Sequence, residues 1–160
     1  MLKEMPLTGF SFRVDFGIPG MFTSDIAFQK VSGISMKMKF KDVEVGADRG
    51  SIQVPDGVEF GDLVLERGMM KSSILISWFQ AQVVGKMKIP IPVILSMYGP
   101  EGWPVFCWTF INAYPIEWST DGFDAQTSGI VVEKITFKYS YYVQVPLASA
   151  ADFALMLATL

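Results

Sequence analysis

Residues 34–41 read Ile-Ser-Met-Lys-Met-Lys-Phe-Lys, a strict alternation of apolar or small and polar side chains. Successive side chains of a β-strand point to opposite faces, so this period of two predicts a strand with one apolar and one basic face. The apolar face carries Met36, Met38 and Phe40, and we expect it to lie in the core rather than in an interface, although methionine also suits adaptable contacts. The basic face carries Lys37, Lys39 and Lys41, a row that protects a sheet edge or faces solvent, or alternatively holds an anionic partner.

The alternation changes phase directly after this strand. Val43 and Val45 are now apolar, whereas Asp42 and Glu44 occupy the parity that was apolar before. A shift of one residue moves the apolar set to the opposite face, so the segment must bulge, bend away or find its partner elsewhere.

We therefore predict a projecting arm or hairpin between Lys41 and Phe60. Residues 46–50 are bounded by glycines and predict a loop. Residues 54–58, Val-Pro-Asp-Gly-Val, have the composition of a turn, because proline presets φ and aspartate and glycine suit the next positions.

Similar alternation elsewhere predicts more half-buried strands, at residues 10–16, 87–97 and 130–145. The strand predicted at residues 103–111 has apolar side chains on both faces, so both faces need cover, and a short segment follows at residues 116–118. Ser72 or Ser73 can cap a helix that runs to about Val84 and stops at Gly85. Residues 147–160 can form a second helix with an apolar stripe. The fold class is mainly β: an antiparallel β-sandwich or partly open barrel with one internal helix and a possible short C-terminal helix. We expect one β domain over residues 1–145, and a C-terminal extension over 146–160 that packs on its own chain or on a neighbour.

Composition excludes several classes of function. The chain has 160 residues, 51% of them hydrophobic and 18% charged. This is more apolar than is usual for a small soluble monomer, so we expect something besides its own core to cover part of its apolar surface. The net charge of −3 argues against recognition of nucleic acid through phosphates. The chain contains no histidine, which removes Ser-His-Asp and Cys-His catalysis and the usual zinc sites. Asp121 and Asp124, with Glu117 upstream, match no calcium loop and are interpreted as a solvated turn.

We accordingly expect no enzyme activity, no metal and no cofactor. Cys107 is the single cysteine and lies in an apolar run, so a buried, inert thiol in a reducing compartment is expected. No apolar run has the length of a membrane span, and residues 1–19 lack the pattern of a signal peptide, so we expect no membrane anchor.

Several segments, in order, resemble the tail-tube proteins of contractile phages and phage-derived injection systems, over roughly residues 8–143. They are residues 10–16 (Phe-Ser-Phe-Arg-Val-Asp-Phe), 28–34 (Phe-Gln-Lys-Val-Ser-Gly-Ile), 60–68 (Phe-Gly-Asp-Leu-Val-Leu-Glu-Arg-Gly), 108–118 (Trp-Thr-Phe-Ile-Asn-Ala-Tyr-Pro-Ile-Glu-Trp) and 130–139 (Ile-Val-Val-Glu-Lys-Ile-Thr-Phe-Lys-Tyr). The chain departs from the family at Glu44-Val45-Gly46-Ala47, where a Glu-Gly-Gly element is common, and in its longer tail.

The resemblance implies a structural subunit that forms a hexameric ring with a central lumen. Its partners would be further copies in stacked rings, other tube proteins, spike and baseplate proteins, and a surrounding sheath. Such a subunit would assemble in the cytoplasm and become part of a virion or of a released injection particle. The arm then becomes a candidate interface between subunits or rings, formed by Lys37, Lys39, Lys41, Asp42, Val43, Glu44, Val45, Asp48, Arg49, Pro55 and Asp56.

Within the family, the sequences Asn-Ala-Tyr-Pro at residues 112–115 and Tyr-Ser-Tyr-Tyr at 139–142, together with the longer tail, favour a tube-initiator ring that joins the spike to the tube. The repeated subunit of the main tube is the alternative. A monomeric β-barrel that binds a small apolar ligand is an alternative from another class, and it predicts an enclosed cavity.

Overall fold

Strands dominate the computed structural model, which describes residues 11–17, 27–47, 49–85 and 88–159. In chain order the elements are β1 (Phe12–Phe16), β2 (Lys30–Ser32), β3 (Met36–Glu44), β4 (Ser51–Phe60), β5 (Leu63–Gly68), α1 (Ile74–Gly85), β6 (Ile91–Tyr98), β7 (Pro104–Thr120), β8 (Val132–Lys138), β9 (Tyr141–Pro146) and α2 (Ala150–Ala158). Neither helix in these ranges is long and apolar enough to span a membrane.

Seven strands form one antiparallel sheet in the order β1-β6-β7-β8-β5-β2, with β9 also paired to β7. The strand β7 organises this sheet because its first half pairs with β6 and β9 and its second half pairs with β8. Among the strands that the structure describes, β3 and β4 pair with each other alone, as a separate two-stranded sheet. The prediction of a mainly β, antiparallel fold is confirmed.

The core lies between the two halves of the large sheet and is rich in aromatic side chains. Phe16, Phe110 and Phe137 are each at most 1% exposed. The rings of Phe16 and Phe137 have their centroids 5.7 Å apart, and Trp78 of α1 lies 5.9 Å from Phe137. Alternation in β1 and β8 produces this arrangement, because every second side chain of a strand points inward.

Both predicted helices are present. Ser73 caps α1, since its Oγ accepts a hydrogen bond from the Ile76 N–H at 3.3 Å, and Gly85 is the last residue of the helix. Ser149 caps α2 in the same way through the Asp152 N–H, at 3.3 Å. The predicted apolar stripe of the second helix extends to Leu160, which lies outside the described residues.

Two strand predictions need correction. The strand predicted at residues 130–145 is divided into β8 and β9 by Tyr139 and Ser140, next to Asn112 of β7, which has φ +54°. The strands predicted at 103–111 and 116–118 are instead one continuous strand, because β7 passes a register irregularity between Pro115 and Glu117 without ending. The predicted starts at Phe10 and Met87 lie outside the described residues.

Candidate assembly surface

The hairpin formed by β3 and β4 leaves the body of the protein as a separate ribbon. All nine residues of β3 are exposed, and most of β4 is exposed as well. Phe60, at the base, packs against the core and against the rings of Tyr139 and Tyr142, with centroids 6.0 and 5.3 Å away. The predicted arm is therefore present, and it begins earlier than expected, at Met36 rather than Lys41.

The strand β4 contains a bulge just before the position at which the alternation of β3 changes phase. Met38 pairs with Val58 and Phe40 pairs with Pro55, so β4 contains one residue more than β3 between these two pairs. Gly57, with φ +93°, lies in this irregular stretch. The turn predicted at residues 54–58 is therefore wrong, because its proline and glycine belong to a bulge inside β4. The hairpin turns instead between Val45 and Gly50, where the loop was predicted. There the Val45 N–H donates to the Gly50 carbonyl at 3.1 Å.

Each face of the hairpin changes character from base to tip. One face is apolar near the body and acidic near the tip, where it carries Asp42 and Glu44. The opposite face carries the three lysines near the body and the pair Val43 and Ile52 near the tip. We name two surfaces: the base patch, formed by Met36, Met38, Phe40 and Val58, and the tip patch, formed by Val43, Val45 and Ile52.

The expectation that Met36, Met38 and Phe40 lie in the core is wrong. These side chains are 55, 52 and 56% exposed, because no other described strand pairs with the hairpin. Singly exposed apolar residues are ordinary, whereas a contiguous exposed row rimmed by charges is typical of an interaction surface.

The structure brings most of the predicted interface residues together on this one hairpin. Lys37, Lys39 and Lys41 lie along one face of β3, and Lys41 forms an exposed ion pair with Asp56 of β4, at 3.5 Å. Pro55 lies opposite Phe40, whereas Arg49 lies in the loop at the tip. Asp48 lies outside the described residues.

A close crossing of two glycines sets the base of the hairpin. Gly33 has φ +85°, and a Cβ at this position would overlap the carbonyl oxygen of Asp62. A Cβ on Gly61 would overlap the Ser35 hydroxyl, and the Gly61 N–H donates to the Ser35 carbonyl at 3.1 Å. The two chain segments that enter and leave the hairpin therefore touch, which fixes the direction in which it projects.

A buried ionic network lies under the opposite end of β5. Arg67 donates from Nε to Oε1 of Glu133 at 2.6 Å and from Nη2 to the Ser73 hydroxyl at 2.7 Å. Trp118 donates from Nε1 to the other Glu133 oxygen at 3.1 Å, and the Arg67 guanidinium lies 5.1 Å from the centroid of the Phe28 ring. The network ties α1, β5, β7 and β8 together. Sequence parity could have revealed it, since Arg67 shares the inward parity of Leu63 and Leu65.

Beside this network, at the start of α1, an open groove of about 530 Å³ is lined by both apolar and polar side chains, with Lys71 and Glu133 among the latter. Its apolar lining includes Met69, Met70, Ile74 and Trp118. The first three are 46, 40 and 48% exposed. This groove was not predicted, because Met69 and Met70 lie between elements, where no periodicity marks them.

Of the acidic residues considered in the sequence, Glu117 lies in β7, and Asp121 and Asp124 lie in the connection that follows it. Asp124 is exposed and accepts a hydrogen bond from the Gln126 N–H at 2.9 Å, and this bond, together with the Thr127 side chain, lowers the pKa of its carboxyl group. Among the described residues, no three acidic or thiol side chains converge as metal ligands would.

One family and several solved structures match this chain. The family described as T4-like virus tail tube protein gp19 matches residues 8–143. A chain of the anti-feeding prophage (AFP) baseplate has a TM-score of 0.77 at 24% identity, over 92% of this chain and 100% of that one. A chain of the AFP tube-terminating cap has a TM-score of 0.72 at 17% identity, over 92 and 95% of the two chains.

A chain of an extracellular contractile injection system, the PVC sheath-tube complex in its extended state, has a TM-score of 0.71 at 18% identity, over 90% of this chain and 94% of that one. At these identities the structural likeness shows a shared fold. A comparison with curated protein sequences gives no match.

Proposed function

Because this chain belongs to the family of T4-like virus tail tube proteins, we propose that it forms one subunit of a hexameric ring in the inner tube of a contractile phage tail or injection system. Tail tube proteins are structural subunits. The ring would enclose a lumen, contact other tube and baseplate or spike proteins along its axis, and be surrounded by a sheath. It would assemble in the cytoplasm and leave the cell as part of a virion or a released particle.

The observation that carries this proposal is the exposed base patch. Met36, Met38, Phe40 and Val58 are between 48 and 56% exposed. Burial of apolar surface stabilises by about 25 cal/mol per Å², so covering this patch would contribute to association. A neighbouring subunit in a ring or stack would supply the missing layer. We propose that the predicted interface residues, from Lys37 to Asp56, contact a neighbouring subunit, because they lie on the same exposed hairpin as the base patch.

Unpaired strand edges support ring formation further. Among the described strands, β1 and β2 end the path of the large sheet, and β9 pairs on one side with β7. An exposed edge offers unpaired N–H and C=O groups to another chain, and closure of a ring satisfies them. The core, in contrast, is filled by Phe16, Phe110 and Phe137, which favours a structural subunit over a barrel that holds a small ligand.

The position of the ring along the tube has two candidates. An initiator ring between spike and tube is supported by the AFP baseplate chain, whose TM-score of 0.77 exceeds the 0.71 of the PVC sheath-tube chain. The repeated tube subunit is supported by the protein itself, because it has exposed apolar surfaces at both ends of β5 and could stack on its own copies.

Negative-stain electron microscopy of the purified chain, with its mass in solution measured in parallel, tests this proposal. Rings with an open lumen and a mass of six chains are expected. Single rings that do not stack would favour the initiator position, and tubes would favour the repeated subunit. A compact monomer over a wide range of concentration would refute the proposal.

A further inference from the structure

The C-terminal helix α2 is apolar on every side. Its nine residues include one charged side chain, Asp152, and are otherwise alanine, leucine, methionine and phenylalanine. Phe153, Met156 and Leu157 lie on one side and are half-buried. Leu155, on the opposite side, is 67% exposed. A helix that is apolar all round is ordinarily buried, so the side of α2 that carries Leu155 has the composition of a covered surface.

The helix is too short to be stable without packing. Isolated helices of fewer than about 12–15 residues are marginal in water. Ser149 caps the first turn, and the Thr159 hydroxyl donates to the Met156 carbonyl at 2.8 Å in the last. An open cleft of about 440 Å³ lies beside α2 and is lined by Val145 and Leu147. A second layer over the exposed side would therefore add to the stability of α2.

The position of α2 directs it toward a neighbour across a strand edge. The helix begins four residues after β9 ends, and among the described strands β9 pairs on one side, with β7. The Leu147 N–H donates to the Val105 carbonyl at 2.9 Å and holds the start of the helix beside this edge. Tyr141 and Val143 of β9 are each 47% exposed. In a ring that closes through strand edges, the copy beside β9 is the copy that α2 meets.

The groove at the start of α1 lies near the other end of β7. Pro146, at the α2 end, pairs with Phe106, whereas Trp118 lines the groove. About 40 Å of strand separates these two residues of β7. The groove therefore offers α2 a site on another copy.

The groove also borders a strand edge. It is next to the end of β5, and β5 pairs with β2, the last strand on the path of the large sheet. The backbone contact between Gln29 and Glu66, at 2.8 Å, continues this pairing beyond β2 toward the groove. The helix thus accompanies one edge of the subunit and the groove accompanies another, as a ring of identical copies requires.

The shape of the groove suits an apolar helix. A second recess of about 300 Å³ continues it and shares Met69 and Met70, and this recess is also lined by Ile130, which is 76% exposed. Methionine is flexible and adapts to irregular partners. The alanines of α2 allow close approach of its backbone, and Leu155 provides one large side chain to fill the recess.

Charge at the groove complements charge on α2. Lys71 is exposed and has no ion pair among the described residues, whereas Glu133 is already paired with Arg67. The helix contributes the Asp152 carboxylate, and its last turn contains no basic residue. The carbonyl end of a helix carries a partial negative charge that a cation stabilises. The groove therefore offers a free ammonium group to a segment that has negative charge and no cation.

We propose that α2 of one copy docks into the groove of the next copy around the ring, with Leu155 against Met69 and Met70. The inference rests on the proposed ring and adds a helix contact to the strand edges that close it. The contact is heterologous, because each copy donates its helix on one side and receives a helix on the other. Six such contacts would close the ring.

A cysteine cross-link tests the contact directly. The variant Leu155→Cys/Met70→Cys is oxidised with copper phenanthroline at concentrations that give rings, and free thiols are blocked with N-ethylmaleimide before denaturation, because Cys107 is the one native thiol and is buried. A ladder of disulfide-linked chains that ends at six is expected. A mixture of the two single variants should give dimers and nothing longer, which shows that the bond joins different copies.

The matched control for the cross-link is Leu155→Cys/Val84→Cys. Its second cysteine lies at the far end of α1, on a residue that is 82% exposed. This variant is expected to remain unlinked, because Val84 is outside the groove.

A charge exchange supplies an independent readout. Leu155→Lys and Met70→Glu, each alone, are expected to raise the protein concentration needed for rings by about ten-fold, equivalent to 1.4 kcal/mol. The two together should restore ring formation. Both side chains are at least 40% exposed, so the unfolding transition of each variant should match that of the parent protein. Val84→Lys should form rings like the parent protein.

The outcomes separate this inference from the proposed function. Absence of rings in the parent protein would refute the ring and the contact together. Rings that form normally, give no ladder and tolerate Leu155→Lys would overturn the contact alone. A ladder that continues beyond six chains would overturn it as well, because the helix would then join successive rings.

Discussion

The Nε atom of Arg67 lies 2.6 Å from Oε1 of Glu133, and both side chains are at most 2% exposed. The two residues face each other across β5 and β8, and the pair is completed by Ser73 and Trp118. Removal of one partner of a buried pair leaves an unpaired charge that the interior cannot solvate. This pair therefore connects the first turn of α1 to the sheet in a way that tolerates little change.

Replacing Arg67 by Met is expected to lower the free energy of unfolding by roughly 3–5 kcal/mol, because Glu133 stays buried without its partner. Chemical denaturation measures the change. Adding Glu133→Gln should recover part of the loss. The control is Lys30→Met, which removes a partly exposed pair with Glu66 at 3.7 Å and should cost less than about 1 kcal/mol. Similar losses in both variants would contradict the assigned role of the buried pair.

Gly33→Ala is expected to destabilise the protein more than the same change at two other glycines. The backbone at Gly33 has a positive φ, which costs a residue with a side chain about 1–2 kcal/mol. The added Cβ would also overlap the carbonyl oxygen of Asp62. Gly46→Ala has a positive φ and open space, so it isolates the backbone contribution. Gly85→Ala has open space and no positive φ, and it should have little effect. Thermal denaturation of the three variants orders them, and equal effects at Gly33 and Gly46 would show that the close crossing is not a constraint.

Tyr139 predicts a loss of stability at alkaline pH. Burial raises the pKa of its hydroxyl to about 12, with smaller contributions from Tyr142 and Asp62. The unfolded chain releases this proton near pH 10 and the folded chain near 12, so the unfolded state binds fewer protons between these values. Stability is complete below pH 10 and falls as the pH rises toward 12.

Tyr139→Phe should remove this component of the pH dependence. It should also be neutral or stabilising at pH 7, because the buried Tyr139 hydroxyl has no hydrogen-bond partner within the described part of the chain. Tyr141→Phe, at a residue that is 47% exposed, is the control and should keep the alkaline transition. Denaturant titrations at pH 7, 10 and 11.5 measure both effects, and an unchanged alkaline slope in Tyr139→Phe would refute the assignment.

The base patch predicts a separation between folding and assembly. Met38→Ser/Phe40→Ser is expected to leave the unfolding transition of the isolated chain nearly unchanged, since both side chains are more than half exposed. The concentration at which rings form should rise by at least about ten-fold. Val83→Ser, on α1 and 61% exposed, is the matched control for assembly. Sedimentation velocity measures the mass of each variant, and rings that persist in the double variant would exclude the patch from the interface.

The sequence predicted the kinds of elements better than their partners. Alternation located the strands because burial on one face of a sheet imposes a period of two, and Ser73 and Gly85 marked the limits of α1 through backbone chemistry that is local. The same alternation could not show that Met36, Met38 and Phe40 would be exposed. An exposed strand with one apolar face has the same sequence pattern as a strand whose apolar face packs in the core.

Turn composition was misleading where tertiary pairing used it differently. Pro55 and Gly57 suit a turn, but Pro55 pairs with Phe40 of β3, and Gly57 lies in the bulge that absorbs the extra residue of β4. Of the candidate interface, the charged residues were found from their position on the predicted arm. The groove at Met69 and Met70 depends on the meeting of β5, β8 and α1, which are distant in sequence, so no local pattern could show it.

The 17 residues of β7 run through both halves of the sheet and are paired with three other strands. A pulling or pushing force along β7 would have to shear many hydrogen bonds at once, since the bonds of an antiparallel ladder lie perpendicular to the strands. Bonds that share a force break together rather than one after another. A subunit built around such a strand resists deformation along β7. A tube made of these subunits would therefore transmit a force in that direction with little internal deformation.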